Sequence, residues 1–365
     1  MKRKKLMFVS RSLSGGGAER VISNLANHFS KNNYDVTLVV LDKRKIVYPL
    51  ASSLKVVELV ERKAKENLIV RIYYAFLTFF RFLRIIRQEK PDCCISFMTS
   101  VNIWTGLCCT LLNVDYIVSE RNSPFETLMK LNSLSKWIAF KVYNNAKAVV
   151  LPSKKMLETY FSLEKFNQLN NFRTIHNPVN TFNGKISSAA HPRNFILSVG
   201  RLKQHKGFET LIDAFYLLKN CDIDLLISGT GPYLETLERK VSELGLESRV
   251  KFIGFKNNIH DYYSQALLFA SASRTEGYPN VLIEAMSLGC PSVATDCNFG
   301  PSEIIENGVN GFLVEVDNKE ELAIAIEKLI EDETLRIKFS QNGKQLNQTN
   351  SLESIAEQWN NLILS

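Results

Sequence analysis

The chain has 365 residues, 45% of them hydrophobic and 22% charged, values of a globular protein rather than a disordered one, with length enough for two domains. The formal charge of +8 is unevenly spread: residues 1–180 carry 28 Lys and Arg against 13 Asp and Glu, the remainder 17 against 24. A basic first half predicts an anionic partner there, be it a membrane surface, a pyrophosphate-bearing acceptor or nucleic acid, although no recognised nucleic-acid module accompanies the charge.

In chain order, Met1-Lys2-Arg3-Lys4-Lys5 imitates the start of a signal peptide, but only Leu6 to Val9 follow as an apolar run, too short for its hydrophobic core. Residues 6–10 read instead as a buried strand, followed by the turn Gly15-Gly16-Gly17, a helix over 18–30 and a strand over 36–41, a βαβ pattern. Further apolar strands are predicted at 56–59, 93–97, 116–119 and 148–151. Strands alternating with helices imply an α/β fold with a parallel, doubly wound sheet.

Residues 68–87 form an amphipathic helix, with Ile72, Tyr73, Phe76, Phe79, Phe80 and Leu83 on its apolar side and Arg71, Arg81, Arg84 and Arg87 interspersed. Such a helix could lie on an anionic leaflet, which the wider basic charge favours, or pack on the first domain with a solvated Arg face. The uncharged stretch 93–114 is long enough to span a bilayer. Ser96, Thr99, Ser100, Asn102, Thr105, Gly106 and Asn113 break it up, so it reads as a buried strand, a polar turn and a core helix. Seven cysteines form no C-x-x-C pair; the odd number fits free thiols in a reducing cytoplasm, without a zinc site.

Residues 177–193, with two prolines and several small polar residues, read as a linker. A second alternating set follows, with strands at 195–199, 224–228, 250–253, 268–270, 292–294 and 312–314, and a last helix around 352–364.

Ligands of such sheets bind at the carboxyl ends of the strands. Gly15, Gly16 and Gly17 sit there in the first half, where small residues let backbone approach a phosphate; a tight turn would need glycine in any case. A dinucleotide fingerprint beginning at Gly15 and Gly17 would need a third glycine where Arg20 stands. Asp42, ending the second strand, nonetheless keeps an NAD-dependent oxidoreductase open as an alternative. In the second half Arg201 and Lys206 follow the first strand, placed to grip a pyrophosphate or simply to form an exposed charged loop. The D-x-D of Asp222-Ile223-Asp224 lies at the start of a strand, the wrong end for a ligand, and reads as a solvated turn; no metal site is expected.

The most informative stretch runs from Ser273-Arg274-Thr275-Glu276-Gly277-Tyr278-Pro279-Asn280 to Glu284-Ala285-Met286. Pro279 suits the first turn of a helix, which puts Glu276 just before the helix and Glu284 about a turn inside it. Backbone N–H groups of Gly277, Tyr278 and Asn280 would share a space with the Glu276 carboxylate, a combination suited to a hydroxyl-rich ligand such as a sugar. A single Glu at a helix start could equally serve the helix dipole.

The spacing of Glu276 and Glu284, continued by Ala285 through Asp296, resembles the signature of the family 4 retaining glycosyltransferases. Gly15-Gly16-Gly17-Ala18-Glu19-Arg20, Ile175-His176-Asn177-Pro178-Val179, and Val199-Gly200-Arg201-Leu202 with Lys206-Gly207 follow the same pattern in the same order. The resemblance implies a GT-B fold of two doubly wound, Rossmann-like domains facing a cleft. It divides the chain into an acceptor-side domain over 1–176, the linker over 177–193, a nucleotide-sugar domain over 194–350, and a helix over 351–365 that returns to the first domain.

It further implies that Gly16 and Gly17 lie beneath the donor's phosphates, that Arg201 and Lys206 hold the pyrophosphate, and that Glu276 takes the transferred sugar's hydroxyls and Glu284 the ribose. Backbone around Gly254 and Phe255 would meet the base, with Gly277, Tyr278, Pro279 and Asn280 completing the donor site. Transfer on one face, with the departing phosphate oxygen taking the acceptor's proton, requires no separate nucleophile, metal or cofactor. Many relatives carry a histidine where Arg121 stands; Arg121 could hold a phosphate or serve the structure. The segment from Asn298 to Ile305, with Gly300-Pro301 opening a helix, resembles transferases that extend polyprenyl-diphosphate-linked oligosaccharides, N-acetylgalactosaminyltransferases among them. The expected partners are a UDP-linked donor, a lipid-linked saccharide acceptor and an anionic membrane, with the chain peripheral at the cytoplasmic face. A transferase with a soluble acceptor and a nucleotide-sugar-binding module without turnover are the other readings.

Overall fold

The computed structural model describes residues 3–61, 67–179, 189–218 and 222–365; residues 180–188 of the expected linker and Cys221 lie outside this range. The chain forms two compact units, Met1–Pro178 with Leu352–Ser365, and Val179–Ser351.

The first unit runs β1 (Lys4–Ser10), α1 (Gly17–Lys31), β2 (Tyr34–Asp42), β3 (Lys55–Val60), α2 (Leu68–Glu89), β4 (Cys93–Phe97), α3 (Thr99–Leu112), β5 (Asp115–Ser119), α4 (Ser133–Asn145), β6 (Ala148–Leu151), α5 (Lys154–Ser162) and β7 (Phe172–Thr174). The second runs β8 (Phe195–Val199), α6 (Phe208–Leu217), β9 (Asp224–Ser228), α7 (Leu234–Glu243), β10 (Val250–Gly254), α8 (Ile259–Gln265), β11 (Leu268–Ser271), α9 (Asn280–Ser287), β12 (Ser292–Thr295), α10 (Pro301–Ile304), β13 (Phe312–Val314), α11 (Lys319–Glu331), α12 (Glu333–Gly343) and α13 (Leu346–Thr349). A last helix, α14 (Leu352–Leu364), belongs to the first unit.

Both sheets are parallel, with strand orders β3-β2-β1-β4-β5-β6-β7 and β10-β9-β8-β11-β12-β13. The continuous apolar runs of β1, β4 and β8 follow from burial on both faces. Alternation divides β8: Ile196 joins the core under α6 and α11, while Phe195 and Leu197 join the one under α9. The edge strand β7, pairing Val149 with Phe172, is missing from the sequence reading because its three residues include only one large apolar side chain.

The stretch 93–114 is the expected strand, turn and helix, and no helix among the described residues is long and apolar enough to cross a membrane. The last helix inserts Ile355, Ala356, Trp359 and Ile363 into the first unit's core beside α1. Trp359 is fully buried and stacks on Phe97 at 5.7 Å between ring centres; losing such a side chain costs about 3–5 kcal/mol.

Helix α2 departs from its expected single apolar side. Thr78, Phe82, Leu83 and Ile86 are buried, and Phe79 packs on Trp104 of α3 at 5.8 Å. Ile72, Tyr73, Phe76 and Phe80 are instead exposed. The helix packs through its second half and leaves its first half open.

Candidate functional site

Strand order reverses between β8 and β11 in the second unit, and the loops leaving these two neighbours flank a topological switch point, where doubly wound sheets hold ligands. The first loop is braced by its neighbour: Gly200 N–H donates to Ser228 O at 3.0 Å, Leu202 N–H to Thr230 O at 3.0 Å, and Gly229 N–H to Gly254 O at 2.9 Å. A Cβ at Gly229 would lie 1.9 Å from Gly200 O, and one at Gly231 2.2 Å from Leu202 O. Those glycines therefore let three loops stack. Arg201 is exposed on this edge, with Gly254 and the exposed ring of Phe255 two strands away.

The chain then makes a 3₁₀ turn at Gln204–Lys206, ended by Gly207 with φ 64°. A Cβ on Gly207 would sit 1.8 Å from the carbonyl oxygen of Ala272, so only glycine permits the two loops to close on each other. This approach delivers Lys206 to Glu276: Nζ lies 2.6 Å from Oε1, with the side chains 18% and 11% exposed. Ser273 Oγ donates to the same carboxylate oxygen at 2.7 Å, and Thr295 Oγ1 donates to Ser273 O at 2.6 Å. Cys297 lies close enough for Glu276 to act on it. Burial first, and then the Glu276 charge, push its thiol up to about 12, with Lys206 opposing.

A second clamp ties the two loops together. Arg274 N–H donates to His205 O at 2.9 Å, its Nη1 donates to Gln204 O, and its Nε donates to Asp317 Oδ1 at 2.8 Å and Oδ2 at 3.0 Å. The hydrogen bond from Arg274 holds Asp317 below the usual carboxylate range, partly opposed by desolvation and aided by Thr210.

Pro279 lies one position earlier than expected. With ψ 101° it stands outside the helix as its N-cap, and its carbonyl accepts from Leu282 N–H at 3.1 Å and Ile283 N–H at 3.3 Å. Asn280 opens α9, and Glu284 sits inside it, 2% exposed. Tyr278 turns its ring into the core, its hydroxyl accepting from Asn350 Nδ2 at 3.1 Å. Gly300, with φ 94°, packs against this loop so closely that a Cβ would lie 2.6 Å from Pro279 Cδ. It caps α10, which opens at Pro301.

The expected solvated turn at Asp222-Ile223-Asp224 is corrected in part. It does lie at the amino end of β9, away from the switch point, but Asp224 is buried. His191 Nε2 lies 2.7 Å and Arg193 Nη1 3.2 Å from its carboxylate; a carboxylate buried at the strand start demands such partners.

In the first unit the glycine loop closes on its own neighbours. Gly15 N–H donates to Glu19 Oε2 at 2.7 Å, and the Tyr48 hydroxyl both accepts from Gly16 N–H at 2.7 Å and donates to Gly16 O at 2.9 Å. Gly17 begins α1. Asp42, the residue on which the oxidoreductase alternative rested, accepts from Arg11 Nε at 3.1 Å.

Arg121 is buried, its guanidinium 4.6 Å over Phe97 and 5.9 Å over Trp359, with Nη1 donating to Asn177 Oδ1. Burial lowers its pKa to about 9 against the Glu120 charge, which leaves it cationic at neutral pH. Glu120 beside it accepts from Thr99 Oγ1 at 2.8 Å, Asn102 Nδ2 at 2.9 Å and the Tyr143 hydroxyl. Burial raises its pKa, and those donors lower it.

Sequence reading missed Ser273, Gly229, Gly231, Cys297 and the Arg274–Asp317 clamp. Gly229-Thr230-Gly231 after a strand was a usable signal; the clamp, whose partners stand 43 positions apart, offered none.

Residues 15–182 match the model of Glycosyltransferase Family 4, and residues 180–346 that of Glycosyl transferases group 1. Over 360 residues, 98% of both chains, the sequence is 30% identical to an uncharacterized glycosyltransferase of Haemophilus influenzae. It is also 30% identical over 350 residues to the N-acetylgalactosamine-N,N'-diacetylbacillosaminyl-diphospho-undecaprenol 4-alpha-N-acetylgalactosaminyltransferase of Campylobacter jejuni, covering 93% of this chain and 94% of that one. The crystal structure of Anabaena HepE in complex with UDP and glucose superposes with a TM-score of 0.78 at 20% identity, covering 99% of each chain. That likeness establishes the fold as GT-B.

Proposed function

Because the chain belongs to the glycosyltransferases of family 4, with a group 1 glycosyl transferase domain, we propose that it is a retaining, metal-independent transferase that moves a hexose or N-acetylhexosamine from a UDP-sugar to a lipid-linked saccharide. The observation that carries this reading is the Lys206–Glu276 pair on the two loops of the switch point. It places a cation and a carboxylate side by side, as a donor with a diphosphate at one end and a hydroxyl-rich sugar at the other requires.

As the sugar–phosphate bond breaks, negative charge grows on the departing diphosphate. Lys206, with Arg201 on the same loop, stabilises that charge in a partly enclosed site, where a preorganised cation is worth about 10²–10³ in rate. Glu276, released by Lys206, accepts hydrogen bonds from the sugar's hydroxyls. Glu284 takes the ribose, and backbone at Gly254 and Phe255 takes the base. The departing phosphate oxygen receives the acceptor hydroxyl's proton, so the new bond forms on the face from which UDP leaves. The two cations perform the task of a divalent ion in this scheme.

The UDP in the HepE structure supports the donor, and the diphospho-undecaprenol in the Campylobacter relative's name supports a lipid-linked acceptor; we place the reaction in surface glycan assembly at the cytoplasmic membrane face. A panel of UDP-hexoses and UDP-N-acetylhexosamines, screened for transfer to undecaprenyl-diphosphate-linked saccharides with the anomer read by NMR, tests the proposal. Transfer in chelator with retained configuration is expected, and Glu276→Ala abolishes it without unfolding the chain. Undiminished turnover by that variant, or an inverted product, refutes the assignment.

A further inference from the structure

The first three and a half turns of α2 present an apolar surface that no described residue of the first unit covers. Leu68, Ile69, Ile72, Tyr73, Phe76 and Phe80 are between 49% and 77% exposed, although their spacing is that of a stripe made to be buried. The stripe continues in charge: Arg84 and Arg87 follow Phe80 at intervals of four and three residues, are exposed, and so extend the same side of the helix.

A second apolar group lies two helices away. Leu134 and Trp137 of α4 are 67% and 54% exposed, and Phe125 and Met129 stand out from the segment leading into that helix. Helix α3 joins the two groups by packing on both α2 and α4. Because each helix runs antiparallel to the parallel strands it connects, the amino ends of α2 and α4 both lie at the carboxyl edge of the sheet, the edge that carries the ligand loops. The exposed apolar residues are thus concentrated toward that edge. An exposed patch of this size marks an interaction site.

Charge identifies the occupant. No acidic residue occurs in 67–88, 93–114 or 127–157, while Arg71, Arg84, Arg87, Lys130, Lys136 and Lys141 do. Aromatic rings flanked by cations in 67–88 and 127–157, with Glu126 exposed beside Phe125, match the boundary between acyl chains and anionic headgroups. We infer that α2 and the start of α4 form one membrane-docking face, with Ile69, Phe76 and Trp137 set among the acyl chains and Arg84 and Arg87 against anionic phospholipid headgroups. The inference rests on the lipid-linked acceptor of the proposed function and assigns the surface that meets its bilayer. It makes the carboxyl edge of the acceptor-side sheet the edge that faces lipid.

The test uses the full chain and phosphatidylcholine vesicles with or without a minority of phosphatidylglycerol. Wild type should sediment with the anionic vesicles at low salt and its Trp emission should shift to the blue. Phe76→Ser with Phe80→Ser should weaken binding at least about tenfold. Trp137→Phe should keep binding but reduce the blue shift, since Trp359 is buried in either state and Trp104, packed on Phe79, is already partly buried. Arg84→Gln with Arg87→Gln should weaken binding to anionic vesicles alone. Binding unchanged by the Phe76/Phe80 substitutions, absence of wild-type binding, or a stable dimer dispersed by those substitutions would each overturn the inference. Transfer to a short-chain, water-soluble acceptor separates the two readings. Equal rates in wild type and the Phe76/Phe80 variant, with only wild type sedimenting, support the docking face; failure of that transfer in both counts against the proposed function, and sedimentation still judges the surface.

Discussion

Lys206 and Glu276 lend themselves to a double-substitution cycle, with Lys206→Met, Glu276→Gln and the pair combined. Their 2.6 Å contact joins side chains only 18% and 11% exposed, so it is neither a surface pair worth about 0–1 kcal/mol nor a fully buried one. A hydrogen bond between charged groups in such a setting contributes about 1.5–3 kcal/mol. The single Lys206 change leaves Ser273 Oγ as the side-chain donor to Glu276 among the described residues and should lose at least that much, whereas the double change recovers part of it. In a unit of this size each kcal/mol corresponds to about 2–4 °C in Tm, so Lys206→Met, losing about 1.5–3 kcal/mol, should lower the melting temperature of the second unit by about 3–12 °C, in calorimetry of the whole chain. Its turnover should fall about 10²–10³-fold. A coupling energy below about 1 kcal/mol, the range of an exposed pair, would refute the reasoning that the free chain holds Lys206 in place on the Glu276 carboxylate.

Three further outcomes are expected. Arg274→Gln should loosen the turn at Gln204–Lys206 and lower kcat/KM about tenfold with donor affinity less affected, as for loss of one positioning hydrogen bond. Because the folded pKa of Asp317 is depressed from 3.8, its contribution is present above that value and lost as pH falls through the folded pKa, so the stability gap between Arg274→Gln and wild type should close in acid; a gap that persists to the lowest pH at which the fold survives would deny the clamp. Gly207→Ala must combine a left-handed φ with a Cβ 1.8 Å from a carbonyl oxygen and should cost about 3 kcal/mol or more; denaturant unfolding showing less than about 1 kcal/mol would mean that the two loops can separate freely. Cys297, with its thiol pushed from 9.0 to about 12, carries about a thousandfold less thiolate than a free cysteine. Mass spectrometry should find it unmodified by iodoacetamide at pH 8 in the native chain and modified after unfolding, and rapid native labelling would contradict its burial beside Glu276.

Much of this molecule is legible in one dimension. Apolar runs bounded by glycine and polar turns located twelve of the thirteen strands among the described residues, because strands buried on both faces need uninterrupted apolar sequence. Their alternation with helices determined the doubly wound class, and Glu276, Glu284, Arg201 and Lys206 were marked by their distance from strand ends and a helix start. What only the tertiary structure decided were relations between segments far apart in the chain. Lys206 meets Glu276 because β8 and β11 are neighbours and Gly207 can lie against Ala272; sequence shows the glycine but not the carbonyl it must avoid. Arg274 finds Asp317 because two loops end at one edge of the sheet. On α2 the periodicity marked one apolar side without saying what covers it; the structure buries residues of the second half and leaves the first half exposed. Local pattern records what each residue prefers to bury, whereas which surfaces are covered depends on the finite extent of the sheet and helices placed against them.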